Sequence, residues 1–143
     1  MPKEKLPSAK NWRERKIETW NATTFHEYLK HKHQERFSLS YRAGNIRGQN
    51  SQIKRLYEEI GKEATKEFID LCFQTYKPRQ GYNSLNFFYM IRSMNFLIPK
   101  AVDNIERKRK IAEMKQRQQQ QEIQQPEVNK GEVENILKYW GIE

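Results

Sequence analysis

Apolar side chains recur along this chain at spacings of three, four and seven residues, which is the period of one face of an α-helix. In the first such segment, Phe25 and Tyr28 lie on the apolar stripe. Thr24 and Glu27 have the spacing of a capping box, in which two side chains satisfy free amides of a first helical turn. The pattern predicts a first helix over residues 24–36.

The same spacing predicts two further helices that are separated by a glycine. The second begins at Asn50 or Ser51, both favourable N-cap residues, and carries an apolar stripe that ends at Ile60. Gly61 supplies a left-handed stop. A third helix follows over residues 62–76, and its wide apolar arc is typical of the central helix of a core.

A proline and a glycine end the third helix, and Ser84 is placed to cap a fourth with helically spaced apolar residues as far as Ile98. Pro99 is expected to end or kink that helix. Over residues 100–125 the apolar positions thin out and glutamines accumulate. This composition predicts a partly formed solvent helix that grades into a linker.

Together these patterns predict an all-α protein with a small compact domain of about four helices. Residues 1–20 form a basic flexible arm that becomes helical from about Asn11, and its tryptophans can anchor onto the body. Residues 21–100 form the helical domain. Residues 101–128 are a polar, Gln-rich helix and linker, and residues 129–143 are a short C-terminal amphipathic helix.

The chain is strongly basic, with 27 Lys and Arg against 18 Asp and Glu and a formal net charge of +9. The excess lies in the arm, the helical domain and the first part of the linker, whereas residues 127–143 hold two bases and four acids. A positively charged body suits a polyanion, since phosphate contacts by Lys and Arg release condensed counterions. The acidic C-terminal end is expected to serve another purpose.

Cys72 is the single cysteine, which excludes an intramolecular disulfide and a multi-cysteine zinc site and fits a reducing compartment. The first residues lack the apolar run of a signal peptide, and no stretch approaches the roughly 20 apolar residues of a membrane span. We expect a soluble, cytoplasmic protein with no membrane partner.

Two basic loops that lead into predicted helices are candidate phosphate sites. Residues 41–51 combine glycines and arginines with a helix N-terminus, and residues 76–84 have a similar composition. The tyrosines of the second loop suit either stacking on single-stranded bases or covering the core. An ordinary solvated connection is the alternative for both loops. The candidate nucleic-acid-binding residues are Lys30, Lys32, Arg36, Arg42, Arg47, Asn50, Lys54, Arg55, Lys77, Arg79 and Tyr82.

Histidines and bases alternate over residues 30–36, a segment that is predicted to be a solvated basic face. His31 and His33 are two positions apart on a helix and point away from each other, so they cannot readily share a metal. Residues 107–110 are four consecutive bases that spread around a helix, which suits non-specific electrostatic contact or simple solvation. We predict no metal site and no cofactor.

Catalytic motifs are absent from the sequence. The acidic residues at positions 58–70 are explained by pairing with lysines one helical turn away. An enzyme is therefore not expected.

The C-terminal segment carries an apolar stripe that is too small to form a core by itself. Its residues are Val133, Ile136, Leu137 and Trp140. Such a stripe suits a helix that binds a groove on another protein, and docking back onto its own domain is the alternative. The expected partner of the tail is another protein.

Residues 20–25 (WNATTF), 68–70 (FID) and 87–90 (FFYM) resemble small phage-encoded proteins associated with DNA replication. The order of helical body, Gln-rich region and helical C-terminal peptide over residues 20–143 is similar to that of phage helicase loaders. The resemblance implies that the body meets origin or fork DNA and that the tail recruits the replicative helicase. A polymerase component is the other partner expected of the tail, and a phage-encoded protein would act in the host cytoplasm.

The leading hypothesis is a nucleic-acid-binding accessory protein of phage DNA replication, with DNA favoured over RNA. A second hypothesis is a protein-interaction module that modulates a transcription or host enzyme without binding nucleic acid. A third is a structural or packaging protein, which would self-associate.

Overall fold

In the computed structural model of the chain, residues 6–78 and 83–124 are described. They form five α-helices: α1 (Ala22–Phe37), α2 (Ile46–Ile60), α3 (Lys62–Thr75), α4 (Phe87–Ser93) and α5 (Ile98–Gln124). Two short 3₁₀ turns, Ile17–Thr19 and Asn95–Leu97, are also present. Neither described range contains a β-strand, so the all-α prediction is confirmed.

The start of α1 is set by a capping box one turn earlier than predicted. The Asn21 side-chain oxygen accepts a hydrogen bond from the Thr24 N–H at 3.1 Å, and the Thr24 hydroxyl oxygen accepts one from the Asn21 N–H at 3.2 Å. Thr24 is therefore the third helical residue and not the cap, and the predicted pairing with Glu27 is wrong. Asn is as good an N-cap as Thr, which places the helix start at Ala22.

Helix α2 begins at Ile46, four residues before the predicted start at Asn50. The Asn45 side-chain oxygen caps it by accepting a hydrogen bond from the Gly48 N–H at 3.0 Å. The prediction was wrong because the first turn reverses the usual polarity: Ile46 is 55% exposed, whereas Gln49 is fully buried. Much of the predicted basic loop is therefore helical.

Gly61 joins α2 to α3 without an intervening loop. Its φ of 92° and ψ of 159° lie in a region that side chains of L-residues rarely adopt. The prediction of a glycine stop between the two helices is confirmed, and α3 follows directly over nearly the predicted range.

The predicted fourth helix is divided into two. Asn86, rather than Ser84, caps α4, since the Asn86 side-chain oxygen accepts a hydrogen bond from the Tyr89 N–H at 2.9 Å. A 3₁₀ turn then leads to α5, which begins at Ile98. Pro99 lies in the first turn of α5, where an N–H would have no partner inside the helix. Pro99 therefore lies at the start of a helix, whereas the sequence predicted that it would end or kink one.

Helices α1, α2 and α3 contact one another and enclose the core. The segment that leads into α4 and α4 itself add further apolar side chains to it. The largest fully buried apolar side chains are Phe25, Leu29, Ile53, Phe68, Ile69, Leu85, Phe87 and Met90. Burial of one such side chain contributes about 1.5–3 kcal/mol, which holds the start of α4 against the other three helices.

The residues that precede α1 are part of the folded body. Trp20 is 3% exposed, and its ring centroid lies 5.0 Å from that of Phe25. Trp12 packs edge-on against Tyr28 with 4.9 Å between ring centroids. The α-helix expected from Asn11 is not formed, because this stretch consists of turns and a 3₁₀ turn. The two tryptophans pack against α1, which is the anchoring that the sequence predicted for them.

The chain divides into two compact units, residues 1–105 and 106–143. In the first unit α5 buries Ala101 and Ile105, and in the second its described side chains as far as Glu122 are all exposed. Within the described ranges, no helix combines the length and the apolar character needed to cross a membrane. The C-terminal helix predicted for residues 129–143 lies outside the described residues.

Candidate nucleic-acid interface

Two stretches of the body contain bases and no acid. Residues 36–57 hold five Lys and Arg, residues 71–102 hold four, and neither stretch contains Asp or Glu. The acids of the body lie outside these stretches, most densely from Glu58 to Asp70 at the end of α2 and along α3. The chain therefore separates its charges along the sequence, and the fold decides whether the two basic stretches meet.

The fold brings the two stretches together. The hydroxyl oxygen of Tyr41 accepts a hydrogen bond from the Phe87 N–H at 2.9 Å. A methyl group placed on Gly48 would lie 3.5 Å from Cζ of Phe88, so the start of α2 runs close to α4. Further along α2, Arg55 lines a cleft of about 280 Å³ together with side chains of α4 and α5. The second stretch thus packs along the first at three successive places.

His33 fixes both stretches from inside the body. Its Nδ1 lies 2.7 Å from the Leu39 carbonyl oxygen, and its Nε2 lies 3.2 Å from the Ser84 hydroxyl and 3.4 Å from the Leu85 N–H. A carbonyl only accepts and an amide N–H only donates, so Nδ1 carries the proton and Nε2 accepts. One imidazole therefore ties the loop after α1 to the segment before α4.

A second buried imidazole supports the same loop through an amide. Gln49 Nε2 lies 3.2 Å from Nδ1 of His26, and the Gln49 side chain also hydrogen-bonds to Tyr41. Burial raises the pKa of Tyr41 to about 12, although the hydrogen bonds from Phe87 and Gln49 act in the opposite direction. Burial is also the main cause that lowers the pKa of His26 from its usual value of 6.5; Lys30 adds to it and Glu27 opposes it.

The histidines are thus not the solvated face that the sequence predicted. His26 is 7% exposed and His33 is 1% exposed, whereas His31 is partly exposed and lies 3.0 Å from a Glu35 oxygen. Positions 26 and 33 are seven residues apart, so they share the buried side of α1 with Leu29. The seven-residue spacing could have indicated from the sequence that His26 and His33 are buried. The lysines around them favoured the interpretation as a solvated face instead.

Seven described bases of the two stretches are exposed and form no ion pair or hydrogen bond through their side chains with any described residue. Two of them are set apart, Arg36 because it lies over the ring of Phe37 and Lys100 because it lies on α5, which leaves a set of five. We call this set the basic surface. It consists of Arg42, Arg47, Arg55, Lys77 and Arg92. Arg42 follows Tyr41, Arg47 and Arg55 lie on α2, Lys77 follows α3, and Arg92 lies on α4. Arg92 was not among the sequence candidates.

The other predicted lysines are engaged with carboxylates. Lys30 lies 3.1 Å from Glu27, and Lys54 lies 3.9 Å from Glu58. Arg36 is exposed, with its guanidinium carbon 5.5 Å from the centroid of its neighbour Phe37. We call these three the marginal bases, because each already has a partner within the body.

Lys32 belongs to a mixed-charge cleft between α1 and α3. It lies 3.8 Å from Asp70, which also pairs with Lys66 at 3.2 Å and accepts a hydrogen bond from the Tyr28 hydroxyl. Burial, followed by the contact with Asp70, raises the pKa of Tyr28. The cleft has a volume of about 300 Å³ and is lined by Glu35 and Asp70 as well as Lys32. Its acids make it a poor site for phosphate.

Asn50 does not have the capping role that was predicted for it. It lies within α2, half-buried, and its side-chain oxygen has no hydrogen-bond partner in the described part of the chain. Arg79 and Tyr82, the remaining candidates, lie outside the described residues. Val133, Ile136, Leu137 and Trp140 also lie there.

Large apolar side chains are exposed on the same two stretches. Leu39 and Ile46 are 52% and 55% exposed, and Tyr89 and Phe96 are 46% and 63% exposed. Exposed apolar side chains on stretches that also carry unpaired bases suit a binding surface. The sequence patterns missed Tyr89 and Phe96 as candidates.

Chemistry of other kinds finds little support in the described residues. No group of three or more His, Cys, Asp or Glu side chains within them is placed to hold a metal ion. Cys72 is fully buried, and burial raises the pKa of its thiol to about 12, so it is not a reactive nucleophile.

Comparisons with protein families, with curated proteins and with solved structures found no match to this chain.

Proposed function

We propose that this protein binds nucleic acid through the basic surface and acts as an accessory protein of phage DNA replication. The observation that carries the proposal is the meeting of two acid-free stretches, which places five exposed, unpaired bases on adjoining elements. None of the five forms an ion pair with a described acid, although Glu59 lines the same cleft as Arg55. Lys and Arg in that state are free to neutralise phosphates and release counterions.

The marginal bases extend this surface at small cost. The exposed pairs of Lys30 with Glu27 and of Lys54 with Glu58 are typical of surface ion pairs, which contribute about 0–1 kcal/mol. A phosphate can therefore replace the carboxylate partner. Arg36 and Lys32 are the next candidates, with Lys32 the weaker because Asp70 competes for it.

The C-terminal tail is proposed to recruit a replication protein, such as a replicative helicase or a polymerase component. Its support comes from the sequence alone: the spacing of Val133, Ile136, Leu137 and Trp140 fits a short amphipathic helix, and residues 127–143 reverse the sign of the charge. The Gln-rich end of α5 lies between body and tail in the sequence, so the two segments can bind different ligands.

Charge-neutralising variants of the basic surface test the proposal. We expect Arg47→Gln and Arg92→Gln each to weaken DNA binding. Each should also reduce the slope of log K against log salt concentration by about 0.7–0.9 for every phosphate that the variant no longer neutralises. Fluorescence anisotropy over a salt titration measures both quantities.

The matched control is Lys62→Gln, which removes the same charge beside the acidic end of α2, where the Lys62 ammonium group donates to the Glu18 carbonyl oxygen at 2.8 Å. It should leave affinity and slope nearly unchanged. Binding that is insensitive to salt, or an equal effect of Lys62→Gln, would contradict the proposal. Circular dichroism establishes that each variant is folded.

A second candidate function is docking of an acidic protein segment, and the exposed Leu39, Ile46 and Phe96 favour it. An acidic amphipathic helix would meet both the bases and these apolar side chains. Capture of a protein by the body that survives nuclease treatment, together with absence of DNA binding, would support this second function.

A further inference from the structure

Tyr76 and Tyr89 form an aromatic pair at the edge of the basic surface. Their ring centroids are 5.8 Å apart, and the ring planes meet at 78°, an edge-to-face arrangement. Tyr76 directly follows α3 and is half-buried, whereas Tyr89 lies on α4 and is 46% exposed. One ring is thus supported by the body and the other presents much of its surface to solvent.

Core packing does not account for Tyr89. Phe87 and Met90 are the residues of α4 that enter the core, and both are 0% exposed. Tyr89 is a neighbour of Met90 on a helix, so it projects in a different direction. The edge-to-face contact with Tyr76 uses part of the Tyr89 ring, and the rest of the ring remains exposed to solvent, where it is available to a ligand.

The backbone that carries Tyr89 is held firmly. The Asn86 side-chain oxygen accepts the Tyr89 N–H at 2.9 Å, and the neighbouring Phe87 N–H is held by the buried Tyr41 hydroxyl, also at 2.9 Å. A ring on a fixed backbone loses little conformational freedom when a ligand stacks on it. The arrangement is preorganised for a flat partner.

Bases from the basic surface flank the aromatic pair. Lys77 directly follows Tyr76 in sequence. Arg92 is three residues after Tyr89 on α4, which puts the two side chains on the same side of that helix. Positive charges beside an exposed aromatic ring match an alternating pattern of phosphates and flat bases.

We propose that Tyr89, supported by Tyr76, is a stacking platform for unpaired bases, so that the basic surface prefers single-stranded nucleic acid to duplex. The inference rests on the proposed function and specifies its ligand. In a duplex the base faces are covered by neighbouring base pairs, whereas a single strand can turn a base onto the Tyr89 ring while Lys77 and Arg92 hold its phosphates.

Two variants of Tyr89 separate stacking from charge. Tyr89→Leu removes the aromatic ring and keeps an apolar side chain, and Tyr89→Phe keeps the ring and removes the hydroxyl group. Position 89 is exposed, so the fold should persist in both variants, and thermal unfolding verifies this. Anisotropy titrations of the full chain use an oligothymidine and a mixed-sequence duplex of the same length, with oligouridine added to distinguish DNA from RNA.

We expect the unmodified protein to bind the single strand more tightly than the duplex. Tyr89→Leu should weaken single-strand binding by about fivefold to a hundredfold, because stacking on one aromatic ring contributes that much per base. Tyr89→Phe should bind the single strand within about twofold of the unmodified protein, because it keeps the aromatic ring. Tighter binding of oligouridine than of oligothymidine would support stacking and identify RNA as the ligand.

The possible outcomes distinguish the stacking platform from the proposed function on which it rests. Salt-dependent binding that is equal for single strand and duplex, and unaffected by Tyr89→Leu, overturns the stacking platform and leaves the proposed function standing. Absence of binding to every oligonucleotide overturns both. Capture of an acidic peptide in place of the oligonucleotides also overturns both and supports the second candidate function.

Discussion

Both ring nitrogens of His33 are occupied, and this explains why a histidine is found in the core of a basic protein. A leucine at this position would fill similar space but would leave the Ser84 hydroxyl without its imidazole partner and the Leu85 N–H without an acceptor. Hydrogen bonds to buried groups are costly to lose, so the imidazole specifies where the loop after α1 lies. The position of Arg42 in the basic surface depends on that loop.

His26 is expected to make the protein less stable as the pH falls. Its pKa is lowered in the folded state, so the unfolded chain binds a proton below pH 6.5 that the folded chain resists. The free energy of unfolding should therefore decrease as the pH drops from 6.5 towards the folded pKa, by at most about 1.4 kcal/mol per pH unit for this group. Urea unfolding on both sides of pH 6.5 measures it.

His26→Gln is the variant that isolates this contribution. The amide can still meet Gln49 but does not titrate, so the decrease below pH 6.5 should be smaller than in the unmodified protein. The same pH dependence in both proteins would contradict the assignment to His26.

Single residues were the hardest features to predict from the sequence. Ile46 is exposed and Gln49 is buried, the reverse of what hydrophobicity alone indicates. The amide nitrogen of Gln49 contacts His26, 23 positions away in the chain, whereas its buried side-chain oxygen has no hydrogen-bond partner among the described residues. Hydrogen-bond partners that are so far apart in the chain cannot be recognised from sequence spacing.

At the scale of elements, the junction between α2 and α3 depends on a single residue, Gly61. Its φ of 92° is available to glycine and strained for other residues, although a methyl group there would meet no atom within 4 Å. Any cost of substitution must therefore come from the backbone and not from a clash.

Gly61→Ala is expected to lower the free energy of unfolding by about 1–3 kcal/mol, the usual cost of a strained backbone conformation. The midpoint of urea unfolding measures the change. Ser51→Ala, on the exposed side of α2, is the control and should stay within about 0.5 kcal/mol. A Gly61→Ala protein as stable as this control would show that the α2–α3 junction relaxes without strain.

The three helices of the core were predicted well because their apolar stripes are regular, and α3 starts where the sequence placed it. The errors fell at the ends of elements. Asn21, Asn45 and Asn86 each cap a helix, whereas the sequence pointed to Thr24, Asn50 and Ser84. Several residues in each region are suitable caps, and only the packing of the following turn decides among them.

At the scale of the whole molecule, the sequence predicted that bases lie on two loops, and the structure shows how those loops are joined. The pairing of Tyr41 with Phe87 and of His33 with Ser84 spans 46 and 51 positions. Hydrophobic periodicity describes each helix separately, so it does not reveal which basic stretches become neighbours. For the same reason Arg92 was missed, since only its place on α4 brings it to the site.

Deletion of residues 127–143 tests the proposal that the body binds nucleic acid and the tail binds a partner protein. The shortened chain should keep its affinity for nucleic acid within about twofold, because the deleted segment carries a net negative charge and none of the basic surface. It should lose capture of the partner protein from infected-cell lysate after nuclease treatment. Anisotropy and pull-down measure the two effects.

The matched control exchanges Trp140 for Ala in the full chain, which removes the largest side chain of the tail stripe and leaves the charge unchanged. It should reproduce the loss of capture. Loss of nucleic-acid binding in either variant would show that body and tail do not act separately.

The tryptophan packing ahead of α1 also sets the limits within which the protein can be shortened. A chain trimmed to begin at Ala22 would keep every helix, yet it would remove the indole of Trp20 that lies against Phe25 and the indole of Trp12 that lies against Tyr28. The rings of Phe25 and Tyr28 would become exposed to solvent. Proteins that expose such an apolar patch tend to associate through it. The minimal folding unit therefore begins before Trp12, ten residues upstream of the first helix.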